Sequence, residues 1–133
     1  MRRVVQTLSI AATALFLTGS LAYADNTAAM KALDPDNDGT IDMKEAEAGA
    51  AKVFKKINPD GDTTLEADEL EGRVDAAGLK ANDPDDDASL DEKEYMALVK
   101  KKFEAANPDN DGTVDQKELD SPAGQELQKL IYE

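Results

Sequence analysis

Asp34-Pro35-Asp36-Asn37-Asp38-Gly39-Thr40-Ile41-Asp42-Met43-Lys44-Glu45 is the stretch that decides how this chain is read. Carboxylates stand at its first, third, fifth, ninth and twelfth places, and a glycine at the sixth place permits a tight turn between them. The pattern returns three times. It reads Asn58-Pro-Asp-Gly-Asp-Thr-Thr-Leu-Glu-Ala-Asp-Glu69, then Asp83-Pro-Asp-Asp-Asp-Ala-Ser-Leu-Asp-Glu-Lys-Glu94, then Asn107-Pro-Asp-Asn-Asp-Gly-Thr-Val-Asp-Gln-Lys-Glu118. The starts lie 24, 25 and 24 residues apart, and a fixed period of this size sets the architecture before any other feature does.

Each block follows the twelve-residue EF-hand loop, in which oxygens at positions 1, 3, 5, 9 and 12 and the position 7 backbone carbonyl surround a hard cation. The candidate ligands are Asp34, Asp36, Asp38, Thr40, Asp42 and Glu45 in the first loop, and Asn58, Asp60, Asp62, Thr64, Glu66 and Glu69 in the second. The third offers Asp83, Asp85, Asp87, Ser89, Asp91 and Glu94, and the fourth Asn107, Asp109, Asp111, Thr113, Asp115 and Glu118. Position 8 is apolar throughout (Ile41, Leu65, Leu90, Val114), as expected where paired loops join by a short β-bridge. An acidic run is ordinarily a solvated charge patch. Four runs in one register, each closing on Glu, are not, and they hold eighteen of the 29 acids at ligand positions.

Composition removes the competing chemistries. The 133 residues include no Cys and no His, so there is no disulfide framework, no thiolate or imidazole-assisted nucleophile, and no soft-metal site. A formal net charge of −14 argues against binding nucleic acid phosphates. Such self-repulsion also opposes compaction, so a cation is expected to complete the fold.

The spacers are too short for ordinary paired EF-hands. Twelve residues separate Glu45 from Asn58 and Glu94 from Asn107, and 13 separate Glu69 from Asp83. A 12-residue helix is about 18 Å long, which leaves no room for an exiting helix, a linker and a new entering helix. One helix must therefore serve two loops. Ala50, Val53, Phe54 and Ile57 make an apolar stripe, as do Met96, Val99, Phe103 and Ala106, while Leu70, Val74 and Ala81 make a weaker one. The spacing predicts an all-α fold, a compact bundle of about three helices whose four EF-hand loops share single connecting helices. Ser121-Pro122 is expected to cap and begin a C-terminal helix carrying Leu127, Leu130 and Ile131.

Residues 1–24 read as a secretory signal peptide: Arg2 and Arg3, an apolar run from Val4 to Leu17, and an Ala22-Tyr23-Ala24 exit. The run is shorter than the roughly 18–20 residues a spanning helix needs. Residues 25–133 then form the four-EF-hand metal-binding domain, exported and free of the membrane once the leader is removed.

The loops crowd their charge. The first and third offer five ligand carboxylates each, the second and fourth four plus an Asn. By Coulomb's law a trivalent ion raises each ion–carboxylate attraction by half over a divalent ion of similar radius, while carboxylate repulsion is unchanged and dehydration costs more. Crowding therefore favours a 3+ ion relative to Ca2+. Pro35, Pro59, Pro84 and Pro108 fill position 2 of every loop, where a fixed φ lowers the entropy of the unfolded loop or simply ends the preceding helix.

With Pro at position 2, acid at position 9, these spacers and the tail Ser121-Pro-Ala-Gly124, the chain resembles the lanmodulin family of periplasmic lanthanide-binding EF-hand proteins of methylotrophic bacteria. The resemblance implies tight, selective binding of lanthanide(III) ions (La, Ce, Nd) with Ca2+ held weakly, metal-driven compaction, and a role beside lanthanide-dependent methanol dehydrogenase or uptake components. A monomer is expected. Asn58, Thr63, Ala88 and Asn107 depart from the ideal loop. Position 6 wants φ > 0, which costs a non-glycine residue about 1–2 kcal/mol, so loop 34–45 is expected to bind tightest; 83–94 comes next because its extra carboxylate outweighs the turn penalty at Ala88, with 107–118 and 58–69 weaker.

Two other readings stay open: a secreted calcium-binding EF-hand protein acting as buffer or sensor, and a signalling adaptor that exposes a groove to a target helix. Only Met30, Met43 and Met96 follow the leader, which disfavours a Met-rich groove. No base, nucleophile or pocket suggests an enzyme.

Overall fold

A computed structural model describes residues 22–133; of the expected leader, 22–24 fall within this range and 1–21 lie outside it. The elements in order are α1 (Ala22–Leu33), β1 (Thr40–Asp42), α2 (Met43–Ile57), β2 (Thr64–Glu66), α3 (Ala76–Asn82), β3 (Ser89–Asp91), α4 (Glu92–Ala106), β4 (Thr113–Asp115), α5 (Gln116–Leu119) and α6 (Pro122–Ile131). No described helix is long and apolar enough to cross a membrane.

The expected all-α bundle of about three helices is corrected in its count. The described residues are mostly helical but form six helices, accompanied by two small antiparallel sheets, which are the bridges expected at position 8 of the loops. The added helices are local. Asn26, Ala29, Met30 and Leu33 are buried at helical spacing on α1, a stripe like those of α2 and α4. Between α5 and α6 the chain breaks at Ser121-Pro122, where the Ser121 side chain accepts a hydrogen bond from Gly124 N–H and Pro122 opens the new helix, as expected.

Single connecting helices hold for α2 and α4, each 15 residues long, and fail between Glu69 and Asp83. There the chain turns through 67–74 before the seven-residue α3 begins at the Asp75 cap. The cause lies at position 9 of each loop. Asp42, Asp91 and Asp115 sit at helix N-caps and accept from the backbone N–H of Glu45, Glu94 and Glu118, whose side chains bond back to the cap N–H. This reciprocal box starts a helix. The second loop has Glu66 there, a poor cap; only the return bond from Glu66 N–H to Glu69 Oε2 forms, at 3.2 Å, and Gly72 then turns the chain at φ +78°. Of the weaker stripe Leu70 is buried, Val74 half-buried and Ala81 exposed, while Leu79 supplies the core contact of α3.

The sheets follow from these lengths. A 15-residue helix spans about 22 Å, so α2 puts the first and second loops at opposite ends, and α4 does the same for the third and fourth. The turn and short α3 fold the third loop back beside the second, leaving the first to meet the fourth. Accordingly β1 pairs with β4, Ile41 opposite Val114, and β2 with β3, Leu65 opposite Leu90. All four apolar residues are fully buried. Between the two ends α2, α4 and α6 enclose the core, where the Phe54 and Tyr95 rings meet edge to face at 5.5 Å and the Tyr95 hydroxyl donates to the Leu130 carbonyl at 2.8 Å.

Candidate metal centre

Every loop begins with a buried polar residue: Asp34, Asn58, Asp83 and Asn107. Asn58, Asp83 and Asn107 are also the C-caps of the preceding helices, so helix ends deliver position 1 to the base of the loop. In the first loop the Asp34 carboxylate accepts from Asp38 N–H at 3.1 Å and Gly39 N–H at 2.9 Å. The third repeats this, with Asp83 accepting from Asp87 N–H at 3.2 Å and Ala88 N–H at 2.9 Å. Ala88 takes φ +67° to do so, beside Gly39 at +89°; the methyl group is tolerated in the left-handed turn at a cost.

Position 5 is oriented by position 7. Asp38 accepts from both the N–H and the hydroxyl of Thr40, at 2.8 and 2.7 Å, and Asp87 and Asp111 hold the same pair of bonds from Ser89 and Thr113. At position 12, Glu45 Oε2 is engaged by Asp42 N–H at 2.8 Å. Carboxylate oxygens of Asp34, Asp36 and Glu45 then lie within 4.8 Å of one another, as do those of Asp83, Asp85 and Glu94, and of Asp60, Glu66 and Glu69. The fourth loop gathers no such trio among the described residues.

This convergence shifts protons. Asp36 is raised above the ordinary carboxylate range, chiefly because it shares a hydrogen bond with Asp34, then by burial and by the Asp38 and Asp34 charges; Asp85 is raised for the same reasons beside Asp83. Burial, followed by the Asp42, Asp36 and Asp34 charges, raises Glu45, and burial with the Glu66 carboxyl raises Glu69. Burial works upward on Asp34 and Asp83 too, but their backbone and side-chain hydrogen bonds outweigh it and both are lowered. No lysine or arginine among the described residues relieves the crowding. Among the described residues every ion pair ends on Glu126 or Glu133, and none on a loop carboxylate. An arrangement of oxygen donors without countercharge suits a hard, highly charged cation.

Loops 58–69 and 107–118 differ from this plan. Thr63, at position 6, is not left-handed, whereas Gly39, Ala88 and Gly112 are; only position 4 of the second loop, Gly61 at φ +71°, turns that way. Asn58 Nδ2 donates to the Asp62 and Thr64 carbonyls, and its Oδ1 accepts from Gly61 N–H. In the fourth loop the Asn107 Oδ1 is buried and accepts nothing. Sequence reasoning marked these loops as weaker but had no means of separating one asparagine from the other. It also missed that the Asp at position 9 and Glu at position 12 cap a helix, although Asp-x-x-Glu before an apolar run is a readable signal.

No protein-family model matches the sequence. The chain is similar to lanmodulin of Methylorubrum extorquens, with 54% identity over 74 residues, a match that covers 53% of this chain and 56% of that protein. The chain thus spans a little over half the length of the curated relative it matches. Over that stretch the chain is lanmodulin-like.

Proposed function

We propose that the protein captures trivalent lanthanide ions in its carboxylate-rich loops, in preference to Ca2+, and completes its fold around them. The observation that carries this reading is the gathering of Asp34, Asp36 and Glu45, and of Asp83, Asp85 and Glu94, within 4.8 Å, with no cationic side chain among the described residues paired to them. Such clusters repel themselves until an ion supplies the charge, and the gain from a 3+ ion exceeds that from a 2+ ion at every carboxylate. In each loop positions 1, 3, 5, 9 and 12 contribute side-chain oxygens, and position 7 (Thr40, Thr64, Ser89 and Thr113) contributes its backbone carbonyl.

The ion couples to folding because β1–β4 and β2–β3 tie each loop to the buried face between α2, α4 and α6. The role is binding, not catalysis. Residues 1–24 direct the chain to the periplasm, where 25–133 acts as a monomer that buffers or carries lanthanide ions toward a lanthanide-dependent methanol dehydrogenase or uptake component. The similarity to lanmodulin supports this reading. Dialysis of the protein against trace La3+ in a large excess of Ca2+, followed by elemental analysis of the retained ions, tests it. La3+ should dominate; retention in proportion to the bath would assign the protein to ordinary calcium binding.

A further inference from the structure

Loops 58–69 and 107–118 both begin with asparagine, and loss of one charge alone would make them two equally weakened sites. The two side chains are not equivalent. Asn107 is 5% exposed and its Oδ1 accepts no hydrogen bond. Asn58, 8% exposed, uses its whole amide: Nδ2 donates to the Asp62 carbonyl at 3.0 Å and the Thr64 carbonyl at 3.1 Å, and Oδ1 accepts from Gly61 N–H at 2.8 Å. Chemistry fixes that orientation. Turned over, the amide would set NH2 against an N–H and oxygen against two carbonyls.

The Thr64 carbonyl is the position 7 oxygen, the backbone ligand a cation needs. In loops 34–45 and 83–94 the position 1 carboxylate has no donor and can only accept. A second observation agrees: loop 58–69 alone lacks a left-handed residue at position 6, so its backbone has settled around the amide instead of taking the path its three counterparts share.

We infer that the Asn58 amide is a built-in substitute for the ion in loop 58–69. One N–H holds the Thr64 carbonyl that a cation would otherwise gather and the other holds the neighbouring Asp62 carbonyl, so the loop closes on its own side chain. Although Asp60, Glu66 and Glu69 still gather within 4.8 Å, loop 58–69 is held in shape before an ion arrives. It serves as a brace that presents β2, through Leu65, to Leu90 of β3 and so supports the ion site at 83–94. An ion entering loop 58–69 must first displace the Nδ2 donor from the Thr64 carbonyl. The inference rests on the reading of the other loops as ion sites.

The test is a titration of the 15N-labelled protein with La3+, a diamagnetic probe, followed by NMR. Once the Gly39 and Ala88 amide signals have reached their end points, the two Asn58 side-chain protons should remain separate. They should exchange with water at least tenfold more slowly than those of exposed Asn110. Exchange as fast as Asn110, or movement of the Asn58 pair in step with Gly39, would overturn the inference. Two variants separate the latch from simple charge. Asn58→Asp adds a carboxylate and removes the latch, whereas Asn107→Asp only adds a carboxylate. The gain in La3+ affinity at Gly61 in the first should exceed that at Gly112 in the second at least tenfold; equal gains would leave charge as the whole explanation. If Gly39 and Ala88 do not respond to La3+, the binding reading itself falls, while the Asn58 exchange rate still decides the latch.

Discussion

Ile41 and Val114 face each other across an antiparallel bridge, fully buried, joining the first loop of the chain to the last. Each is position 8 of its loop, flanked by the ligand positions 7 and 9. The bridge therefore makes loops 34–45 and 107–118 one mechanical unit, and Leu65 with Leu90 does the same for the other two.

Truncating the bridge should accordingly weaken both loops it joins. Ile41→Ala removes a fully buried side chain, at about 2–4 kcal/mol. Thermal melts of the La3+-loaded protein should show that loss. In a La3+ titration the Gly39 and Gly112 amides should both need more ion, with Ala88 much less affected. An effect confined to Gly39 would mean that the pair is not coupled.

The ranking of loops is tested by four variants, Glu45→Gln, Glu69→Gln, Glu94→Gln and Glu118→Gln. Glu45→Gln should remove the tightest phase of La3+ binding and Glu94→Gln the next. Glu69→Gln should leave the tight phases intact, because loop 58–69 takes its ion late. A tight phase surviving Glu45→Gln contradicts the order.

Ala88 is the clearest case of stored backbone strain, at φ +67° in the third loop. Ala88→Gly should relieve about 1 kcal/mol, tightening La3+ at loop 83–94 by about fivefold. Loop-resolved NMR titration reads this directly, with Gly39 as the unchanged reference.

Gly124 shows why the tail Ser121-Pro-Ala-Gly124 ends in glycine. A Cβ there would meet the backbone of Glu118 and Leu119, which cannot move aside as a flexible side chain could. Gly124→Ala should cost about 3 kcal/mol and displace α6 from α5, read as a lower melting temperature of the loaded protein.

Proton competition follows from the raised carboxyls. Asp36, Asp85, Glu45 and Glu69 sit above the ordinary values of 3.8 for Asp and 4.5 for Glu. In that interval the ion-free fold holds more protons than the unfolded chain, so its stability falls as pH rises through it. Asp34 and Asp83 act oppositely: their contribution is present above 3.8 and lost as pH falls through their lowered values. An ion must displace the protons of the raised groups. Calorimetry in buffers of different ionisation enthalpy should therefore show more protons released per La3+ at about pH 5 than at about pH 7, with weaker binding at the lower pH. Unchanged affinity would contradict the shifts.

Much of the architecture was legible because the loops carry their own ruler. Once 34–45 and its three copies are aligned, the 12-residue spacers force α2 and α4 to be shared, and the stripes through Val53, Phe54, Val99 and Phe103 are buried as the period requires. After Glu69 the apolar spacing misleads because capping decides: Glu66 in place of Asp starts no helix, and Leu79, not Ala81, meets the core. Loop pairing follows from that one break, which the spacer length alone does not reveal. The difference between Asn58 and Asn107 could not be read from sequence, since residue type and position are identical and only the direction of the hydrogen bonds distinguishes them.

The central claim is that trivalent charge, and not calcium, completes this fold. Circular dichroism of residues 25–133, titrated with La3+ in a large excess of Ca2+, tests it most directly. Helicity should stay low with Ca2+ alone and rise steeply as La3+ is added, saturating at the filling of the tight loops. An equal rise with Ca2+ alone, or a chain already fully helical in chelator and indifferent to La3+, would contradict it.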